Sequence, residues 1–393
     1  MQKKRFWSGL LIVVGMFAHG SGVVAQDDDT TVSAGLWLHP SLGSMPTDLL
    51  GPFVRLNDGG IFTVDDENAL VSHDEGKTWQ AQAIFTRELT GRKRMRISGE
   101  RAILKTRSGA VIVAFINLNE MVWHWNDKIH DAEEGTRLPN YVMRSDDGGK
   151  TWDHLTMVHE DWTGAVRDMV QMPSGRITFV SQKLLHHPGR HAVVTYYSDD
   201  DGRSWRSSNT LDLGGMGHHG GAIEGTIETL ADGRLWMLLR TNWDRFWQAY
   251  SLDGGASWRV IEPSNIDAAS APGMLKRLSS GRLVLIWNRL YPQGKTEFPR
   301  TGGDGGWSEV PASNQREELS IMFSEDDGRT WTPPIVFARR PNAWLAYPYI
   351  FEVQPGVLWV STMQGELRLV LREKDFIGVE RAGSVKGTKG QIP

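Results

Sequence analysis

A glutamate and an arginine stand on opposite sides of one predicted β-hairpin, in the segment GAIEGTIETLADGRLWMLLR. Glu224 lies nine residues before the turn residue Gly233, and Arg240 lies seven residues after it. Because a hairpin folds back on itself at its turn, we expect both side chains at the same end of the hairpin. Guanidinium groups pair well with carboxylates, so the pattern predicts either a functional pair or an ordinary cross-strand ion pair.

A tyrosine occupies the equivalent position in another predicted hairpin. Tyr347, in LAYPYIFEVQPG, lies nine residues before Gly356, which is the spacing of Glu224 from its own turn glycine. The spacing therefore predicts Tyr347 at the same rim of the molecule as Glu224. Tyr349 is a competing candidate, and either ring could instead pack within an inner strand.

Further arginines recur at fixed distances from predicted turns. Arg137, Arg190 and Arg316 each stand eight residues before the first serine of a repeated octapeptide described below. Arg101 and Arg167 each stand eight residues before a turn glycine, so we expect each near the same end of its hairpin as Glu224 and Tyr347 are of theirs. The recurrence predicts an electropositive face suited to an anionic ligand.

Two adjacent histidines lie in the glycine-rich stretch GMGHHGG, just before Glu224. His218 and His219 could act as general bases near neutral pH, or they could be loop residues without a chemical role. Two adjacent histidines cannot easily bind one metal ion from a strand, whereas a loop could allow it together with His130 or Glu224. We predict neither a metal nor another cofactor.

Tryptophan is abundant, with 17 residues in the chain. Most of them are expected to fill gaps between sheets. Trp125 and Trp243 lie in predicted loops, and because flat aromatic faces stack on sugar rings they are candidates for substrate contact.

Two repeated patterns supply the elements that must position these side chains. The octapeptide S-x-D-x-G-x-[TS]-W begins at five serines: Ser72, Ser145, Ser198, Ser251 and Ser324. An apolar run, a glycine-centred turn and a second apolar run occur six times, and this pattern predicts a β-hairpin. An octapeptide follows each of the first five hairpins, which gives four strands per unit, as in a propeller blade. The sequence thus predicts an all-β, six-bladed β-propeller of four-stranded antiparallel blades, closed by an N-terminal strand near AGLWLHP.

The residue types of the octapeptide predict a structural role. The Asp can accept bonds from the backbone N–H groups of its own turn, the Gly permits a positive φ, and the Trp can pack between neighbouring sheets. Five turns spread around one rim would hold their carboxylates far apart, so a metal or catalytic site built from them is not expected.

The N-terminus and the overall composition place limits on location and partners. Residues 1–25 have a basic start, an apolar run and small residues before Gln26, which predicts a signal peptide cleaved near Ala25 and a periplasmic or secreted propeller domain over residues 26–393. The chain has no cysteine, so its stability must come from packing rather than disulfides. No later apolar run reaches transmembrane length, and a net charge of -4 without a basic stripe predicts no nucleic-acid partner.

The five octapeptides resemble the Asp-boxes of the sialidase superfamily, whose members are six-bladed propellers, and the resemblance covers the whole mature chain. It implies that Tyr347 is the nucleophile, that Glu224 takes its proton, and that Arg240 and Arg316 hold a substrate carboxylate. A neutral phenol suits this role because the anomeric carbon of such a substrate carries a carboxylate that would repel an anionic nucleophile.

Two parts of the family's site are harder to place. The resemblance implies an Asp acid/base, for which Asp127 in WHWNDKIHD is the first candidate and Asp131 the second. The family's R-I-P motif, which carries the first arginine of its triad, is absent, so Arg101 or Arg167 would have to supply that group. Pro348 also stands where the family usually has a small polar residue.

The function predicted from the sequence is an exo-α-sialidase-type glycoside hydrolase that removes a terminal anionic sugar from a glycan. Two alternatives remain. A polysaccharide lyase or a histidine-dependent glycosidase would use His218 or His219 with Tyr347 on a glycan containing uronic acid, and a binding propeller would keep the fold without chemistry. The sequence predicts a glycan as the partner and does not define the oligomeric state.

Overall fold

The computed structural model describes residues 35–377, and the predicted signal peptide lies outside them. The described residues form six antiparallel sheets arranged as a six-bladed β-propeller, so the predicted fold is confirmed. No helix in this part of the chain is both long and apolar enough to cross a bilayer.

The blades follow one another along the chain, and each begins with the strand nearest the axis. Blade 1 comprises Val54–Arg55, Ile61–Val64, Asn68–Ser72 and Gln80–Ala83. Blade 2 comprises Ile97–Lys105, Val111–Asn117, Asn140–Ser145 and Asp153–His159. Blade 3 comprises Val166–Gln171, Ile177–Leu185, Arg190–Ser198 and Arg206–Ser207.

The second half of the ring has the same order. Blade 4 comprises Ile223–Thr229, Leu235–Arg240, Arg245–Ser251 and Val260–Asp267. Blade 5 comprises Met274–Arg277, Leu283–Trp287, Glu318–Ser324, Ile335–Arg339 and, as a fifth strand, Trp37–Leu38. Blade 6 comprises Ala346–Gln354, Val357–Gln364, Arg368–Arg372 and Gly43–Ser44.

A few short elements decorate the connections. They are the strand pairs Trp125–Asn126 with Asp131–Ala132 and Arg300–Gly302 with Pro311–Ser313, the α-helix Arg87–Thr90, and the 3₁₀ turns Leu118–Glu120 and Glu373–Asp375.

The second strands form the apolar centre of the blades. Val111–Asn117 is buried at every position, and Leu283–Trp287 is buried in the same way. Continuous runs of β-branched and aromatic residues suit strands that are covered on both faces, here by the two neighbouring blades.

Ring closure differs in one detail from the prediction. The segment near AGLWLHP does form a strand, but Trp37–Leu38 pairs with Arg339 and Ala338 at the outer edge of blade 5. The strand that completes blade 6 is Gly43–Ser44, which pairs with Val370 and Leu369. The predicted segment was therefore wrong for this role, because the chain first covers the edge of blade 5 and only then reaches the edge of blade 6.

The octapeptides turn the third strand of a blade into the fourth. In blade 2, Asp147 accepts bonds from the backbone N–H groups of Lys150 and Thr151 at 3.0 and 2.9 Å and from the Thr151 hydroxyl at 2.7 Å. Gly149 has a φ of +94°, and a Cβ there would lie 2.4 Å from Phe62 of blade 1. Trp152 packs against the same ring, with 6.1 Å between ring centroids.

The same contact joins each octapeptide to the blade before it. The fourth residue after the serine is always a glycine that lies against a second-strand side chain of the preceding blade: Gly76 on Trp359, Gly149 on Phe62, Gly202 on Ile112, Gly255 on Thr178 and Gly328 on Trp236. The predicted structural role of the octapeptide is thus seen in its contacts, and the first octapeptide joins blade 1 to blade 6.

Candidate active site

Several polar side chains reach the axis at the starting ends of the first strands, where strand pairing is interrupted. Register shifts interrupt blades 2, 3 and 4 at this end, and the residues within those shifts include Glu100, Arg167 and Glu224. In blade 6 the corresponding residue is Tyr347. Glu224 and Tyr347 have φ values of 50° and 62°, in the left-handed region. Such irregularities redirect a side chain from the normal alternation of a strand, here towards the centre of the ring.

Tyr347, Glu224 and Arg240 form one hydrogen-bonded unit across blades 4 and 6. The Tyr347 hydroxyl donates to Glu224 Oε1 at 2.7 Å. Arg240 Nη1 donates to Glu224 Oε2 at 2.5 Å and to the Tyr347 hydroxyl oxygen at 3.1 Å. The side chains of Arg240 and Glu224 are only 2% and 9% exposed, so this ion pair is well shielded from water.

The surroundings set the protonation states of this unit. Burial alone would raise the pKa of Glu224, but the Arg240 charge and hydrogen bonds from Arg240 and Tyr347 hold it below its ordinary value. Burial, together with the nearby Glu224 charge, raises the pKa of Tyr347. A protonated phenol therefore faces an ionised carboxylate, which is the state in which Glu224 can accept the phenolic proton.

Arg316 lies just before the third strand of blade 5, beside this unit, and shares a partner with Arg240. Arg240 Nε and Nη2 both donate to Ser270 Oγ, at 3.1 and 3.0 Å, while Arg316 Nη2 donates to the Ser270 carbonyl oxygen at 2.7 Å. Arg316 Nη1 donates to Gln364 Oε1 at 2.9 Å. Ser270 thus holds two guanidinium groups in a fixed relation.

Arg167 of blade 3 adds a third guanidinium. It lies 5.3 Å from the centroid of the Tyr347 ring and 4.7 Å from that of Tyr349, and its Nη2 donates to the Pro348 carbonyl oxygen at 3.0 Å. Arg167 and Arg316 each retain a buried Nε–H without a hydrogen-bond partner among the described residues. Such free donors beside a third arginine are suited to a bound anion.

Arg167, rather than Arg101, is the blade-start arginine that joins Tyr347, Glu224, Arg240 and Arg316 in one cluster. Arg101 is buried, but its Nη1 and Nη2 donate to the carbonyl oxygens of Ser98 and Leu50 at 3.3 and 3.2 Å. Two of its three guanidinium nitrogens are therefore occupied by backbone acceptors, while its buried Nε–H, like those of Arg167 and Arg316, has no partner among the described residues. The register shift in blade 2 explains the difference, because it turns the preceding residue, Glu100, towards the axis instead.

Asp127 lies at the rim and is exposed. Its Oδ1 lies close to Gly306, and its charge acts on His218. Within the described chain, no hydrogen bond or ion pair joins it to Tyr347, Glu224 or an arginine. The structure therefore does not bring this predicted acid/base into the cluster.

His219 borders the cluster, with His218 outside it. Asn242 Nδ2 donates to the His219 carbonyl oxygen at 2.8 Å, and the His219 ring stacks on Trp307 with 5.4 Å between centroids. Burial and the charges of His218 and Arg240 hold the pKa of His219 well below its ordinary value. His219 is therefore neutral, and its Nδ1 lies 2.7 Å from Nδ1 of His218.

The two predicted sugar-stacking residues lie in aromatic groups. Trp125 stacks on Trp123 with 5.9 Å between centroids and lies 5.5 Å from the ring of His218. Trp243 packs against Trp247 at 5.6 Å. Both are partly buried, and within the described residues neither forms a hydrogen bond or a ring–ring contact with Tyr347 or Glu224.

Sequence reasoning missed Ser270, Gln364 and Glu100. Nothing in the local sequence distinguishes the first two from ordinary loop and strand residues. Glu100 did carry a signal, because it lies nine residues before Gly109, which is the spacing that singled out Glu224 and Tyr347. Among the described residues, no group of three or more His, Cys, Asp or Glu side chains is arranged to hold a metal ion.

Comparison with known proteins identifies the family. The family described as BNR repeat-like domain matches residues 40–360. The chain belongs to this family. A sialidase from Micromonospora viridifaciens is 24% identical to this BNR repeat-like protein over 279 residues, which cover 68% of this chain and 40% of the relative.

Two solved structures share the fold of this BNR repeat-like protein. A protein of unknown function from Dyadobacter fermentans has a TM-score of 0.56 at 16% identity and covers 86% of this chain and 98% of its own. The NanB sialidase from Streptococcus pneumoniae has a TM-score of 0.54 at 15% identity, over 86% of this chain and 70% of its own. The chain spans less than two thirds of the length of the curated relatives that it matches, which are sialidases.

Proposed function

We propose that this BNR repeat-like protein is a retaining glycoside hydrolase that removes a terminal anionic sugar, with a sialic acid as the first candidate. The observation that carries the proposal is the Tyr347 hydroxyl donating to Glu224 Oε1 at 2.7 Å beside Arg240. A phenol is a weak nucleophile unless a base takes its proton, and Glu224 is placed and charged to do so.

The arginines support an anionic substrate. The Tyr347 ring is surrounded by Arg240, Arg316 and Arg167. Among the described residues, the Nε–H groups of Arg316 and Arg167 have no hydrogen-bond acceptor. A sugar carboxylate bound among them would hold its anomeric carbon near the Tyr347 oxygen. Positioning of this kind contributes to catalysis by fixing the reacting atoms in the geometry of attack.

The likeness to named sialidases supports the same reaction class, although the substrate need not be the same. In this reaction Tyr347 attacks the anomeric carbon and Glu224 accepts its proton. Water then releases the sugar from Tyr347, and two inversions at the anomeric carbon give net retention.

The test is hydrolysis of aryl glycosides of N-acetylneuraminic acid and of uronic acids by the purified full chain. We expect release of the phenol from an anionic glycoside, with the retained anomer as the first product seen by NMR. Tyr347→Phe should lower kcat by about 10³-fold or more. Tyr197→Phe is the matched control, because Tyr197 contacts Arg176 and Arg206 on the outer part of blade 3.

Other outcomes would identify the alternatives. An unsaturated product that absorbs ultraviolet light would show a lyase, for which neutral His219 is available as a base. Saturable sugar binding without either product would show a binding propeller. Inversion at the anomeric carbon would exclude Tyr347 as a covalent nucleophile.

A further inference from the structure

Glu100 is a carboxyl group in the cluster that the reaction described so far does not use. It lies in the register shift of blade 2, and its backbone is held from both sides by Tyr349. The Tyr349 hydroxyl contacts the carbonyl oxygens of Gly99 and Arg101 at 3.0 and 3.2 Å, and the Arg101 N–H donates to that hydroxyl at 3.2 Å. Tyr349, the competing candidate for the position of the nucleophile, thus fixes the position of Glu100.

The segment around Gly99 lies close to blade 6. A Cβ at Gly99 would lie 2.9 Å from Met363 Cε, which is closer than such atoms normally come. Met363 follows Thr362 on the second strand of blade 6, beside the strand that carries Tyr347. Met363 Cε is the free end of a flexible side chain, so the contact shows that the blade 2 segment lies against the blade that supplies the proposed nucleophile, and not that position 99 excludes a side chain.

One oxygen of the Glu100 carboxyl group has no protein partner within residues 35–377. Its Oε2 is inaccessible to solvent and has no hydrogen-bond partner among the described residues. The charged and titratable groups that act on it or on which it acts are Glu224, Arg167, Arg240, Arg316, Tyr347 and Tyr349. An unpaired buried oxygen of this kind calls for a role other than folding. Glu100 as a whole is only half-buried, so its side chain is not sealed from a ligand.

Its environment favours the protonated form. Burial, and then the neighbouring Glu224 charge, raise the pKa of Glu100 to about 8, against the three arginines that act in the opposite direction. Two carboxyl groups near Tyr347 thus differ in state, with Glu224 ionised and Glu100 protonated at neutral pH. Environments that separate two carboxyl groups in this way are typical of acid–base pairs in glycosidases.

We propose that Glu100 is the general acid and base of the reaction, in the role that the sequence suggested for Asp127. This inference rests on the proposed function. A protonated Glu100 also adds no negative charge that would oppose a substrate carboxylate among the arginines.

The two steps balance in atoms and charge. In the first, Tyr347 Oη bonds to the anomeric carbon, the glycosidic C–O bond breaks, the phenolic proton passes to Glu224, and the Glu100 proton passes to the leaving oxygen. In the second, water bonds to the anomeric carbon and gives its proton to Glu100, while the Tyr347 oxygen leaves and regains its proton from Glu224. The net reaction consumes one water and returns both carboxyl groups to their starting states.

The test compares two leaving groups in Glu100→Gln. One substrate is an anionic glycoside whose leaving group is the hydroxyl of a second sugar, and this oxygen needs a proton to leave. For this substrate kcat/KM should fall by about 10²- to 10⁴-fold. For the aryl glycoside, whose phenolate leaves without a proton, kcat/KM should fall less than about 10-fold. Because the variant also lacks the base for the second step, the aryl substrate should show a burst of phenol followed by slow turnover.

Asp127→Asn is the matched control and should show no dependence on the leaving group. A pH profile of the unchanged protein gives a second measurement that needs no variant. Its kcat/KM for the sugar leaving group should fall above a pH of about 8, while the aryl glycoside should not show this fall.

The outcomes separate the two proposals. Failure of the unchanged protein to hydrolyse any anionic glycoside overturns the proposed function and this role with it. With an active protein, equal losses for both leaving groups in Glu100→Gln, or a leaving-group effect in Asp127→Asn instead, overturn the role of Glu100 alone.

Discussion

At the scale of single residues, the cluster combines groups that do not stabilise the fold. Glu224 and Tyr347 adopt positive φ values that cost free energy for residues other than glycine, and Glu100 has a buried Oε2 without a partner in the described part of the chain. Strain and unpaired polar atoms of this kind concentrate at functional sites, where the surrounding structure must compensate for them.

Glu100 should make the stability of the protein depend on pH. In the unfolded chain its carboxyl group titrates near 4.5, whereas in the folded protein it keeps its proton up to about pH 8. The folded state therefore binds more protons in this window, and its stability falls as the pH rises from about 4.5 to about 8. Glu100→Gln removes this cost. As the pH rises from 5 to 8, the melting temperature of the variant should therefore increase relative to that of the unchanged protein.

Glu134→Gln, in an exposed loop position, is the control for this measurement. Its melting temperature should stay parallel to that of the unchanged protein across the same pH range. A constant difference between Glu100→Gln and the unchanged protein would contradict the raised pKa of Glu100.

The sequence allowed part of the cluster to be predicted at this scale. The nine-residue spacing from a turn glycine led to Glu224 and Tyr347, which the structure joins by a hydrogen bond. The same spacing applied to Gly109 would have led to Glu100 rather than Arg101. The catalytic roles themselves stay predictions until activity is measured.

At the scale of elements, the octapeptide turns are the feature that joins neighbouring blades. Asp147→Ala would remove the acceptor for two backbone N–H groups and for two hydroxyl groups, those of Ser145 and Thr151. We expect the free energy of unfolding to fall by about 2 kcal/mol, since the turn loses several bonds but its N–H groups can reach water. Chemical denaturation monitored by tryptophan fluorescence would measure this change.

Asp153→Ala is the matched control, because Asp153 lies on the exposed outer strand of the same blade and, within residues 35–377, forms an ion pair only with His154. This substitution should lower the free energy of unfolding by less than about 1 kcal/mol. Equal effects of the two substitutions would mean that the octapeptide bonds add nothing beyond those of an ordinary surface carboxylate.

Element order was predictable and local register was not. Alternation of hairpins and octapeptides specifies four strands per blade, because each pattern marks one type of turn. The register shifts near Glu100, Arg167 and Glu224 leave no mark in the pattern of apolar residues, since a bulge changes pairing and not composition. Loop residues such as Asp127 could not be placed, because their positions depend on contacts between distant loops.

At the scale of the whole molecule, two N-terminal strands cover the last two blades. A chain beginning at Met45 would lack both Trp37–Leu38 and Gly43–Ser44, and it would expose the edges of Ile335–Arg339 and Arg368–Arg372. We expect it to melt several degrees below a chain beginning at Gly35 and to aggregate more readily, because open strand edges pair with other chains. Differential scanning calorimetry and light scattering would measure both effects.

The chain beginning at Gly35 serves as the control and should melt at the temperature of the full chain. Equal melting temperatures for all three would show that the two strands contribute nothing to closure. The number of blades was predictable from the repeats, but the position of the closing strand was not, since a two-residue strand such as Gly43–Ser44 has too short a pattern to recognise.

The order of synthesis on the ribosome determines when this ring can close. The strand Gly43–Ser44 emerges before any blade is complete, yet its partner strand Arg368–Arg372 is translated only after all the other strands. Tyr347 likewise lies in the final blade, more than 100 residues after Glu224. An unfinished polypeptide therefore has neither a closed ring nor its proposed nucleophile, so any chemistry must await the last part of translation.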